Sequence, residues 1–127
     1  APGLVIKTNT DCQMNSPSCG QAYGNIVMLE HTLVVNGNTQ TWYTGYAHLS
    51  TIAVTPHQFI SEIATPIAAS GSTGTGGPHA HFEVRSPEIA GWIGWLDPWD
   101  TSYSGIERNL WIGTNELPVA VTSQAGQ

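Results

Sequence analysis

The chain has 127 residues, 9% of them charged, with three basic side chains against nine acidic ones and a formal net charge of −6. At that length one domain is expected, and the scarcity of Lys and Arg excludes binding driven by nucleic-acid phosphates or by an anionic membrane surface. A hydrophobic fraction of 40% with 14 glycines and 8 prolines argues against disorder and against a helical bundle. Ser, Thr, Asn and Gln supply most of the polarity, which suits an extracellular or cell-envelope protein. No run approaches the roughly 20 apolar residues of a membrane span, and no charged-then-apolar leader is visible.

Taken in chain order, the pattern reads as strands. Leu4–Ile6 is a short apolar run that leads into a polar loop holding both cysteines, Cys12 and Cys19, with six residues between them. In an oxidising compartment the pair predicts a disulfide within its own loop. The alternative is two unrelated thiols; the spacing does not match a CxxC metal or redox pair. Asn25 to Val35 is rich in β-branched and large apolar residues and breaks at Asn36–Gly37, a pair that tolerates positive φ. Gln40 to Leu49 runs back, so the two segments predict a long hairpin. His31 would share a face with Asn25, Val27 and Leu29, which makes it structural. Phe59 to Ile63 is too short for a helix, Pro66 to Ser70 is a short strand, and His57 beside Pro56 reads as surface. Gly71 to Pro78 holds four glycines in eight positions, and His79 to Arg85 follows as a strand. The whole predicts an all-β domain, mostly antiparallel, as an open sheet or sandwich.

Strand alternation would place His79, His81, Glu83 and Arg85 on one face, with Ala80, Phe82 and Val84 turned into a core. By the same rule Tyr46 and His48 share a face, opposite Ala47 and Leu49. Two imidazoles and a carboxylate on one strand face suit metal binding or proton transfer, although paired histidines on a strand are more often surface or hydrogen-bonded residues.

The run Gly71-Ser72-Thr73-Gly74-Thr75-Gly76-Gly77-Pro78, followed by His79-Ala80-His81-Phe82-Glu83-Val84-Arg85, resembles the signature of the lysostaphin-like zinc metallopeptidases. Tyr46-Ala47-His48-Leu49 is similar to that family's Tyr-x-His-Leu motif. Tyr23-Gly24-Asn25-Ile26-Val27, leading to His31, and Leu96-Asp97-Pro98 also resemble family segments. The resemblance covers residues 1–98 and implies a secreted or envelope endopeptidase acting on peptide bonds of bacterial peptidoglycan. It implies His81 as a zinc ligand and His48 and His79 as the histidines that orient the attacking water and stabilise the transition state. Glu83 is a candidate partner for a ligand, or a solvated charge paired with Arg85.

The family's other two ligands, a His and an Asp, lie in an HxxxD motif upstream of the segment that residues 1–5 resemble. Catalytic zinc takes about three protein ligands and one open position. The chain as written is therefore expected to hold zinc weakly and to be inactive alone. It reads either as a piece of a longer enzyme or as a metal-free relative, and the retention of all three histidines favours the first. The rival functions are a non-catalytic relative that binds wall peptides or regulates a partner, and a structural subunit of an extracellular assembly. Residues 99–127 have no counterpart in the resemblance and are expected to add a strand or a surface for a protein partner. Trp92, Trp95, Trp99 and Trp111 crowd this end, where stacked indoles suit sugar rings or, more commonly, cover a sheet edge.

Overall fold

A computed structural model describes residues 2–35, 37–62, 64–85 and 95–96, and for Leu33, Val35, Trp95 and Leu96 the backbone alone. The chain divides into two compact units, Ala1–Trp95 and Leu96–Gln127. All of the second beyond Leu96 lies outside the described residues, and with it the expected extension 99–127, Asp97-Pro98, Trp99 and Trp111; Trp92 lies outside them as well.

The expected all-β fold is what forms. Among the described residues eight strands run in chain order: β1 (Gly3–Asn9), β2 (Ile26–Val35), β3 (Asn38–Ala47), β4 (Leu49–Ile52), β5 (Phe59–Ile60), β6 (Ala68–Ser70), β7 (His81–Arg85) and β8 (Trp95–Leu96). Among the described residues the only helical turn is a 3-10 stretch, Cys19–Ala22. Six strands form one sheet in the order β5-β1-β2-β3-β7-β8, and β4 and β6 form a small second sheet. β2 and β3 make the long antiparallel hairpin, closing at the pair Val35↔Asn38. Gly37 carries φ +79° in its turn, the conformation that an Asn-Gly pair favours.

Register decides which side chains meet. Val5 pairs with Leu29 and Val27 with Tyr46, so alternation points Val5, Val27, Leu29, His31 and Tyr46 to one face. That face, joined by Ile60 of β5, packs against the small sheet and its flanks through Leu49, Ile52, Val54, Ile67 and Ala68. Burying each of the larger apolar side chains contributes about 1.5–3 kcal/mol, which fixes the hairpin's register: a one-residue slip would turn the whole set to water. The opposite face carries Met28, Gly45 and Glu83 in line, from the pairs Met28↔Gly45 and Gly45↔Glu83.

Three local expectations are corrected. The strand expected from His79 begins only at His81, because β3 stops at Ala47 and the pair Ala47↔His81 is the last that it offers. His79 instead donates its backbone N–H to Gly71 O at 3.0 Å. Of the three residues expected in the core on this strand, only Val84 is buried. Ala80 is exposed and Phe82 is 40% exposed, with its ring 5.4 Å from Tyr46. Finally, Leu49 and Tyr46 join the same core, where strict alternation would separate them. His48 between them has φ +60°, and this left-handed residue breaks the period of two and starts β4 on a new course.

Candidate active site

The Gly-rich loop and the loop before β2 meet backbone to backbone. Gly24 and Gly74 have φ of +65° and +68°, and a Cβ on Gly24 would overlap the Thr73 carbonyl while one on Gly74 would overlap the Gly24 backbone. Only glycine fits at either place. Across this seam Asn25 N–H donates to Thr73 Oγ1 at 2.9 Å. His48 N–H donates to Tyr23 O at 3.0 Å and Leu49 N–H to Asn25 O at 3.1 Å.

These ties bring together three histidines that the sequence separates. The ring of His48 lies 4.4 Å from that of His79 and 5.9 Å from that of His81. Only His81 belongs to a strand of the large sheet. His48 comes from the turn between β3 and β4, and His79 from an isolated bridge to Gly71. His48 is buried and His79 exposed, with His81 between.

Hydrogen-bond partners assign a proton to one nitrogen of each ring. His48 Nδ1 lies 2.9 Å from Thr73 O, and His79 Nδ1 lies 3.0 Å from Gly77 O. A carbonyl only accepts, so both Nδ1 atoms donate and both Nε2 atoms are left to accept a proton. His81 reverses this. Its Nε2 lies 3.2 Å from Glu83 Oε2, so Nε2 donates and Nδ1 carries the free lone pair. Glu83 also pairs with Arg85 at 2.5 Å, and the Tyr23 ring meets His81 edge-on at 5.6 Å. Burial first, and then the Glu83 charge, raises the Tyr23 phenol above its usual range, so it stays a neutral donor.

Beside His81 the open sheet face holds a cavity of about 250 Å³ whose lining includes Met28, Gly45, Ala47, Tyr23, Glu83 and Arg85. Gly45 and Ala47 add little bulk to this lining, and His81, Glu83 and Arg85 contribute polar and charged groups to it.

A model of peptidase family M23 matches residues 1–91. The chain belongs to peptidase family M23. Solved structures with the same fold include LytU, at 23% identity and a TM-score of 0.55, covering 77% of this chain and 57% of that one. The catalytic domain of the prophage-encoded M23 protein EnpA from Enterococcus faecalis is 20% identical at a TM-score of 0.54, covering 80% and 65%. The catalytic domain of the antimicrobial peptidase lysostaphin from Staphylococcus simulans is 21% identical at 0.52, covering 77% and 62%. The M23 chain thus spans less than two thirds of each of these structures. No curated protein sequence matches it.

Zinc, which the M23 resemblance implies, can be weighed against the donor set. Among the described residues no group of three or more His, Cys, Asp or Glu side chains is arranged to hold a metal ion. His81 Nδ1 is a suitable donor by its tautomer, but it stands alone, so these residues do not by themselves complete a catalytic zinc site. The cysteines offer no substitute, because Cys12 and Cys19 form a disulfide. His31 and His57 stand apart in role. His31 is buried between Pro2 O and Thr44 Oγ1, both at 2.8 Å, and His57 is exposed. Sequence reasoning assigned no role to Asn25 or Thr73, the buried residues that join the loops. The available signal was a polar residue beside a required glycine in each of two motifs, but their pairing spans 48 positions.

Proposed function

We propose that this M23 chain is the histidine-bearing portion of a secreted zinc endopeptidase that hydrolyses peptide bonds in bacterial peptidoglycan. The observation that carries the reading is the meeting of His48, His79 and His81, with both non-strand rings fixed as Nδ1–H. An Nε2 lone pair on His48 or His79 suits removing a proton from water and returning it to the leaving amine. The protonated ring suits stabilising charge that develops on the carbonyl oxygen. His81, with Nε2 held by Glu83, is assigned to the metal; the remaining ligands are not among the described residues. The open cavity beside His81 is assigned to the peptide, and residues 99–127 to contact with a partner.

The M23 membership supports the peptidase reading, while the incomplete donor set supports a second one, a non-catalytic relative that binds wall peptides. The experiment that separates them uses peptidoglycan digested by the zinc-loaded full-length protein, followed by mass spectrometry of the fragments. New peptide amino termini are expected. His48→Ala and His79→Ala should each reduce turnover by roughly 10²–10⁴-fold with zinc content unchanged, whereas His81→Ala should lower zinc content. Retention of peptides on the protein without cleavage would favour the binding module and overturn the enzyme.

A further inference from the structure

Four segments far apart in the chain converge behind the His48 ring through one set of hydrogen bonds. Asn25, 4% exposed, is its hub. Its Oδ1 accepts from Cys12 N–H at 2.9 Å, and its Nδ2 donates to Cys12 O at 3.1 Å and Leu49 O at 3.2 Å. Both amide hydrogens are therefore used. Thr73, 1% exposed, accepts from Asn25 N–H at 2.9 Å and donates its hydroxyl to Leu49 O at 2.9 Å. Its carbonyl then receives His48 Nδ1 at 2.9 Å.

A buried polar network with its partners in place is rigid, because each group that lets go is left unpaired in a low-dielectric interior. Rigidity matters here for a specific reason. His48 adopts φ +60°, a strained conformation for a non-glycine residue that persists only when its surroundings over-determine it. The bonds to Leu49 O and Thr73 supply that constraint on both sides of the ring's attachment.

We propose that Asn25 and Thr73 are positioning residues that fix the orientation and the Nδ1–H tautomer of His48. They act through the Thr73 carbonyl and the Leu49 backbone and do not touch the reacting atoms. The functional meaning rests on the reading of His48 as a proton acceptor, but the tautomer can be measured apart from any activity.

The test is ¹⁵N–¹H NMR of the histidine rings in the full chain without metal. The wild-type protein is expected to show His48 with Nδ1 protonated and Nε2 bare near neutral pH. Thr73→Val, which keeps the shape and removes the hydroxyl, should lose that single-tautomer signature, and His48 should move toward the Nε2–H form that a free imidazole favours. Thr73→Ser should restore it. Asn25→Asp keeps Oδ1 and removes both donated bonds, and serves in the same way should Thr73→Val fail to fold. A merely structural role would lower the melting temperature of these variants without moving the tautomer. A wild-type His48 protonated on Nε2, or an unchanged Nδ1–H ring in the folded variants, would overturn the proposal. A fixed Nδ1–H ring in a protein that cleaves no wall peptide would keep it and remove the endopeptidase reading instead.

Discussion

At His31 burial is the largest influence on the ring's chemistry. Its Nδ1–H donates to Pro2 O, and in the neutral ring its Nε2 accepts from the Thr44 hydroxyl. Burial holds the imidazole below its ordinary value of 6.5, against the raising influence of the Pro2 bond. The unfolded chain therefore takes up the proton first as pH falls, and folding stability rises with pH until about 6.5. Urea midpoints measured between about pH 5 and pH 8 should fall on the acid side, and His31→Gln should flatten that slope. Equal slopes in the two proteins would contradict the assignment. The structural role of His31 was legible because Asn25, Val27, Leu29 and His31 alternate along one strand. The position of His48 beside His79 and His81 was legible only as a motif. Its left-handed backbone depends on Tyr23 and Asn25, more than 20 positions away, and no local pattern announces it.

At the scale of elements, the hairpin of β2 and β3 was readable because β-branched residues, a period of two and an Asn-Gly turn all agree. The edges of the elements were not. β7 begins at His81, two residues later than its sequence pattern suggests, because the partner strand ends at Ala47. Strand length here is decided by the neighbour. The loop from Asp11 to Ala22 has few apolar anchors and depends on the Cys12–Cys19 disulfide. Thiol counting on the unfolded, unreduced protein should find no free thiol. The double variant Cys12→Ser/Cys19→Ser should lose about 2–3 kcal/mol on the chain-entropy estimate for so short a closed loop, read by chemical denaturation. Two free thiols in the native protein would refute the pairing and weaken the case for an oxidising compartment. Because both backbone groups of Cys12 bond to Asn25, the loop's closure also supports the network behind His48.

At the scale of the described molecule, a turn and a loop bring His48 and His79 beside His81 of the large sheet, and M23 membership gives that cluster a chemical context. Among the described residues no helix is long and apolar enough to cross a membrane. The all-β fold was legible from composition and turn chemistry. The grouping of the histidines was legible from motifs, while their tautomers became readable only with the carbonyls of Thr73 and Gly77 in place. In the proposed division of labour, His81 alone among the three histidines serves a metal, and His48 and His79 serve the proton. Zinc titration of the 127-residue chain, followed by calorimetry and by metal analysis after dialysis, tests it most directly. One protein nitrogen where catalytic zinc takes about three ligands should give weak, readily dialysed zinc. Tightly held zinc near one ion per chain, lost in His48→Ala or His79→Ala as well as in His81→Ala, would contradict it.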